Sequence, residues 1–168
     1  MIKNKVQDNQ KLVAVDLSKL FDQQHKIEIL DITPWLFQGL LIKEHDFRKH
    51  IENHSWDKYH NSHLIIKVNQ EALITSWAYM LLMEAATPFC LGVHFSDKET
   101  VITSLYQKEM DQYDWTVYQD KYVLIKGCSD HSIPASVFAY ATQKLLGTAK
   151  KIMYGEACSF VPIHTAKS

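Results

Sequence analysis

At 168 residues, with 46% hydrophobic and 11% aromatic side chains, the chain is long enough for one well-packed domain and too apolar for disorder. Eighteen basic against nineteen acidic side chains leave a net charge of −1, and Arg48 is the sole arginine, so bidentate clamps on phosphate are almost absent and nucleic acid is not an expected partner. The opening residues Met1-Ile-Lys-Asn-Lys-Val-Gln-Asp lack the apolar centre of a signal peptide, and the longest apolar run, Trp77 to Met83, is too short to span a bilayer, which predicts a cytoplasmic protein with no membrane partner.

Residues 1–10 are polar and read as a frayed tail. Leu12-Val-Ala-Val-Asp-Leu17 and Lys26-Ile-Glu-Ile-Leu30 are short and partly alternating, which predicts two strands forming an N-terminal antiparallel edge. Thr33-Pro34 opens a short turn through Gly39. Phe47, His50, Ile51 and His54 recur at helical spacing between Glu44 and His54. A strand follows at His63–Val68, and then a helix over Ala72–Ala86 that Pro88 terminates. This helix is apolar on almost every face, so it belongs either in the core or in a subunit interface. Cys90–Phe95 reads as a strand, and Ser96-Asp-Lys-Glu99 as a capping box opening a helix to Met110. The last segments are a strand at Tyr122–Ile125, a helix from Pro134 with Ser132 as a cap and Gly147 at its end, and a strand at Lys151–Tyr154.

The second half of the chain echoes the first. Trp56, Tyr59, Ile66 and Lys67 recur 59 positions later as Trp115, Tyr118, Ile125 and Lys126, and Phe95-Ser-Asp97 as Tyr154-Gly-Glu156. In the helix, Ala78-Tyr79 matches Ala139-Tyr140 at a spacing of 61. The expected fold is therefore α/β: a single domain over residues 1–168 with a mostly parallel sheet, helices on both faces, and two repeated βαβ halves at 55–97 and 114–156.

In a βαβ unit both strand-to-helix turns lie at the carboxyl edge of the sheet, where ligands of open α/β sheets bind. Cys128 and Cys158 follow the two strands of the second half, where the first half has Asn69 and Glu99. Cysteines in a reducing compartment are thiols or metal ligands before they are disulfides. Neighbouring strands stand about 4.8 Å apart, close to the roughly 3.8 Å between two sulfurs each about 2.3 Å from one ion. His131, Glu156 and His164 are the side chains that could complete such a site with Cys128 and Cys158, with iron, zinc or an iron–sulfur cluster as the occupant, and Lys126 could aim its ammonium group at a ligand on the rim, a solvated strand end being the alternative. Small cysteines packed at strand ends are the alternative. Cys90 reads as core, and His50 and His54 as a solvated basic face. The P-loop, G-x-G-x-x-G and G-x-S-x-G patterns are absent.

Trp35-Leu-Phe-Gln-Gly-Leu40, Glu44-x-Asp46-Phe47-Arg48, Trp77-Ala-Tyr-Met-Leu-Leu82, Lys126-Gly-Cys128 and Gly155-Glu-x-Cys-Ser159-x-Val-Pro162 resemble the bacterial domain of unknown function 2480 over nearly the whole chain. The resemblance implies a setting near sulfur mobilisation, with iron–sulfur assembly proteins as partners. It covers Cys128 and Cys158 but not His131 or His164, and Ala157 stands where the pattern has proline. Three functions follow as expectations: an accessory factor of iron–sulfur or metal metabolism, a thiol-dependent enzyme, and a non-catalytic homodimeric scaffold built on the apolar helix.

Overall fold

A computed structural model describes residues 12–20, 26–127, 133–156 and 158–166. Among the described residues the class is α/β, with parallel strands and four helices, as the strand and helix periodicities predict. The described residues form two compact units, each with its own sheet. Unit 1 comprises residues 12–20 and 102–166, and unit 2 comprises residues 26–101.

Unit 2 is built on β2 (Lys26–Asp31), β3 (Ser62–Lys67) and β4 (Gly92–His94), all parallel, with β3 in the centre. Helix α1 (Glu44–Asn53) crosses from β2 toward β3, and α2 (Ser76–Ala86) joins β3 to β4. The β-branched and leucine residues of β3 alternate, and Leu64 and Ile66 enter a core with Phe47, Trp56, Tyr59, Ala78, Leu82 and Ala86. A 3-10 turn at Trp56–Tyr59 delivers the chain into β3; the Trp56 indole N–H donates to the Ile51 carbonyl at 2.9 Å, so a large ring is buried without stranding its polar atom.

Unit 1 is built on β1 (Leu12–Asp16), β5 (Tyr122–Lys126), β6 (Lys151–Glu156) and β7 (Ser159–Thr165), in that order across the sheet. The first three are parallel, and β7 turns back antiparallel to β6. Helix α3 (Lys98–Gln112) leads into a 3-10 turn at Trp115–Tyr118, where the Trp115 indole donates to the Met110 carbonyl at 2.7 Å. Helix α4 (Ala135–Leu145) joins β5 to β6, burying Val137, Ala141 and Leu145 against Val123, Ile125 and Ile152.

Several expectations are corrected. The two N-terminal strands do not form an antiparallel edge: β1 pairs parallel with β5 and β2 parallel with β3, in separate sheets. Alternation shows that a segment is a strand but carries no information on its direction or partner. The apolar helix begins at Ser76 rather than Ala72, because Leu73 is drawn into a bridge with Leu41 and its N–H donates to the Leu40 carbonyl. Its apolar surface is split: Ala78, Leu82 and Ala86 are fully buried, whereas Met80 is 70% exposed. The cap of α3 is Asp97, which accepts from the Thr100 N–H at 2.9 Å, and not Ser96. Ser132 lies outside the described residues, and Pro134 occupies the N-cap of α4. Strand β7, hidden by Pro162, was not expected at all.

Candidate functional site

The carboxyl edge of the unit 1 sheet is set by the pairing of β5 with β6, in which Tyr122 lies opposite Lys151 and Ile125 opposite Tyr154. The two strands are hydrogen-bonded neighbours, so Lys126 and Glu156 end side by side on one rim. Cys128, two residues beyond β5, and His131 lie outside the described residues. Cys158 is described: it is an exposed free thiol between Glu156 and Ser159, which face each other across the β6–β7 hairpin.

Two glycines shape this rim. Gly155 has φ +123°, a region L side chains rarely adopt, and a Cβ there would stand 2.6 Å from the Ser159 carbonyl oxygen. A Cβ on Gly127 would meet the far end of the Phe138 ring at 2.8 Å and of Ile133 at 2.9 Å, so a larger residue there would have to displace both side chains. Phe138 in turn meets Tyr154 edge to face, with ring centroids 5.6 Å apart, and this pair walls one side of the rim.

Sequence reasoning missed Asp16 and Ser18. Asp16 ends β1 opposite Lys126 and accepts from the Ser18 hydroxyl at 2.6 Å and the Ser18 N–H at 3.2 Å. These bonds, chiefly the hydroxyl's, with Lys126 and Lys19 adding attraction, hold its carboxyl below the usual carboxylate range. The available signal was the Asp-x-Ser sequence at a strand end, which favours a side-chain-to-backbone turn. The rim of unit 1 thus carries Asp16, Lys126, Glu156 and Cys158 among its described residues.

Other candidates separate. His164 lies opposite Ile152, four positions back along β6 from the Glu156 end, or about 13 Å at strand rise; antiparallel return takes it away from the rim. Cys90 is half-buried against the unit 2 core, and burial pushes its thiol up. His50 stacks on Trp35, whereas His54 is half-buried and shares a 3.1 Å hydrogen bond with the Tyr59 hydroxyl, so they do not form one solvated face. No group of three or more His, Cys, Asp or Glu able to hold a metal occurs among the described residues.

The half-buried histidines His54 and His94 predict acid sensitivity. Burial first, then Lys58, lowers His54, and burial lowers His94, which shares a 3.2 Å hydrogen bond with His63. A folded pKa below the unfolded value of 6.5 means that the unfolded chain binds more protons as the pH drops. Stability is therefore expected to be full above pH 6.5 and to decline below it, continuing as the pH falls through the lowered folded values. Urea denaturation across this range should show a shallower decline in His54→Gln; an identical pH dependence would contradict the assignment.

Fold and rim together define an α/β protein of two units, one with a parallel and one with a mostly parallel sheet, the latter exposing a thiol at the carboxyl edge of its parallel strands. The model of the family described as protein of unknown function (DUF2480) matches residues 1–166, and the chain belongs to that family. No curated protein and no solved structure matches it. No helix among the described residues is long and apolar enough to cross a membrane.

Proposed function

We propose that the chain is a cytoplasmic accessory factor of iron–sulfur or metal metabolism, and that Cys128 and Cys158 act together at the carboxyl rim of unit 1 as ligands for a soft metal ion or cluster. The observation that carries this reading is the adjacency of β5 and β6, which brings the two strand ends before these cysteines within one strand spacing, about 4.8 Å. Thiolates suit iron, zinc and iron–sulfur clusters, and two of them leave coordination positions open. Lys126 and Glu156 flank the site, and His131 is the remaining candidate ligand. Such a site binds exchangeably rather than holding a metal needed for folding. Protein purified without oxygen should contain iron and sulfide, or bind about one equivalent of zinc or ferrous iron. The Cys128→Ser, Cys158→Ser double variant should lose this while keeping its melting temperature. Equal binding by both proteins would leave the cysteines as packing residues.

We also infer that the two units arose by duplication, with residues 55–97 and 114–156 as the repeats. What supports this is a spacing of 59 that persists through unlike features. Trp56 and Trp115 each bond a carbonyl five residues earlier; Asn61 and Asp120 both have φ near +57°, at 57° and 58°. His63 pairs with Gly92 as Tyr122 pairs with Lys151. The buried stripe Ala78, Leu82, Ala86 corresponds to Val137, Ala141, Leu145, and the ring pair Tyr79 and Phe95 to Phe138 and Tyr154. The helices correspond at 59 as well, so the spacing of 61 expected within them is replaced. An experimental structure whose two repeats failed to superpose would overturn the inference.

A second functional reading, a homodimeric scaffold, draws on the apolar cleft formed by Tyr79, Met80, Met83 and Phe95 on the outer side of α2.

A further inference from the structure

The chain between β2 and α1 makes a small hairpin. Phe37 and Leu41 pair across Gln38-Gly39-Leu40, and the first two of these residues have positive φ, 54° and 71°. Gln38 is not glycine, so this conformation costs about 1–2 kcal/mol and persists because the surrounding chain fixes it. The hairpin presents Phe37 to Lys43, whose ammonium lies 3.4 Å from the ring centroid. Opposite stands Trp35, held in place by a near-parallel stack on His50 (centroids 5.7 Å apart, planes 7° apart) and by edge contacts with Phe47 and Trp56.

Between them lies an open pocket of about 320 Å³, lined by Trp35, Phe37, Lys43, Lys49, His50 and Asn53, with Asp46 its only acidic side chain. The nearby Glu44 is occupied by Arg48 at 3.0 Å. Two ammonium groups against one carboxylate give the lining a positive surplus, and the imidazole and amide add hydrogen-bonding groups. The volume is at the lower end for small-molecule sites and fits a ligand of one or two rings. Its apolar walls combine the Trp35 and Phe37 rings with Pro34 and Leu36, and the two rings favour a flat ligand over a branched one. The chain's one arginine is already engaged, and lysines bind anions as point charges, so the charges here favour an anion and the rings favour a planar one.

We propose that this pocket of unit 2 is a binding site for a small planar organic anion, an aromatic carboxylate in class. It is independent of the thiol rim, and either can fail without the other. The test is a proton–nitrogen NMR titration of the full chain with benzoate, with cyclohexanecarboxylate and inorganic phosphate as comparison probes. Benzoate should produce saturable shifts of the Trp35 indole and of backbone amides from Phe37 to His50, with cyclohexanecarboxylate binding more weakly. Lys43→Met and Lys49→Met, both at exposed positions and so not expected to unfold the unit, should each weaken benzoate binding by about tenfold, the loss of one charge-assisted contact. Shifts that fail to saturate by about 20 mM, undiminished affinity in both lysine variants, or phosphate or cyclohexanecarboxylate binding as tightly as benzoate would overturn the proposal.

Discussion

Leu82→Lys is expected to abolish folding of unit 2, whereas Met80→Lys, two residues along the same helix, should leave it folded. Leu82 has no exposed surface and sits in the core beside Ala78, Ala86 and Phe47, so an ammonium there would lose its hydration with no partner to replace it. The desolvation penalty of several kcal/mol is comparable with the whole stability of a domain, about 5–15 kcal/mol. Met80 is 70% exposed, and its replacement should change stability by only about 0.5 kcal/mol. Circular dichroism and calorimetry distinguish the two, and a Leu82→Lys variant that melted cooperatively near the wild-type temperature would show that α2 is not packed this way. Light scattering on folded Met80→Lys and Met83→Lys then tests the scaffold reading, because a dimer built on this face should dissociate.

Gly155→Val should loosen the hairpin that presents Cys158 and leave the unit 2 sheet unaffected. The new side chain meets two obstacles at once: a backbone conformation costing about 1–3 kcal/mol for a residue with a Cβ, and the Ser159 carbonyl oxygen 2.6 Å away. Neither can be relieved by a rotamer change, since both involve main chain. Hydrogen exchange should accelerate at Phe160 and Val161 while the amides of β3 keep their protection, and metal binding at the rim should weaken. Unchanged exchange in β7 would mean that the hairpin tolerates the side chain and that Gly155 does not set its shape.

What the sequence revealed, and what it concealed, follows from the range of the interactions involved. The strand at Tyr122–Lys126 and the helix with Val137, Ala141 and Leu145 are legible because burial of one face imposes a local period. The direction of β1 is not, because its partner β5 is distant in sequence and a parallel pair leaves no turn residues to mark it. Strand β7 was concealed by Pro162, which edge strands tolerate and central strands do not. Of the candidate rim, Cys158 was legible as a residue just beyond β6, Cys128 lies outside the described residues, and the adjacency of β5 and β6 came from the sheet. Asp16 was missed because it reaches the rim by pairing with Lys126 from the other end of the chain. His50 and His54 read as a solvated basic face, since nothing in helical periodicity reveals that Trp35 stacks on His50.

The division of unit 1 into two stretches of chain sets an order of events during synthesis. Strand β1 emerges first, but β5, with which Leu12 through Asp16 must pair, is made about a hundred residues later. At about 5–20 residues per second, β1 waits several seconds or more without its partner. All three strands of unit 2 are made within that interval, and their pairings close shorter loops. Unit 2 should therefore be able to form on the ribosome while β1 is still a solvated peptide. A nascent chain stalled with residue 101 clear of the ribosome exit tunnel and β5 still inside it should carry protease resistance in the segment from β2 to β4 and none in β1. A slow, late docking of β1 would also make its five residues the stretch of unit 1 most exposed to chaperones and to incorrect strand pairing.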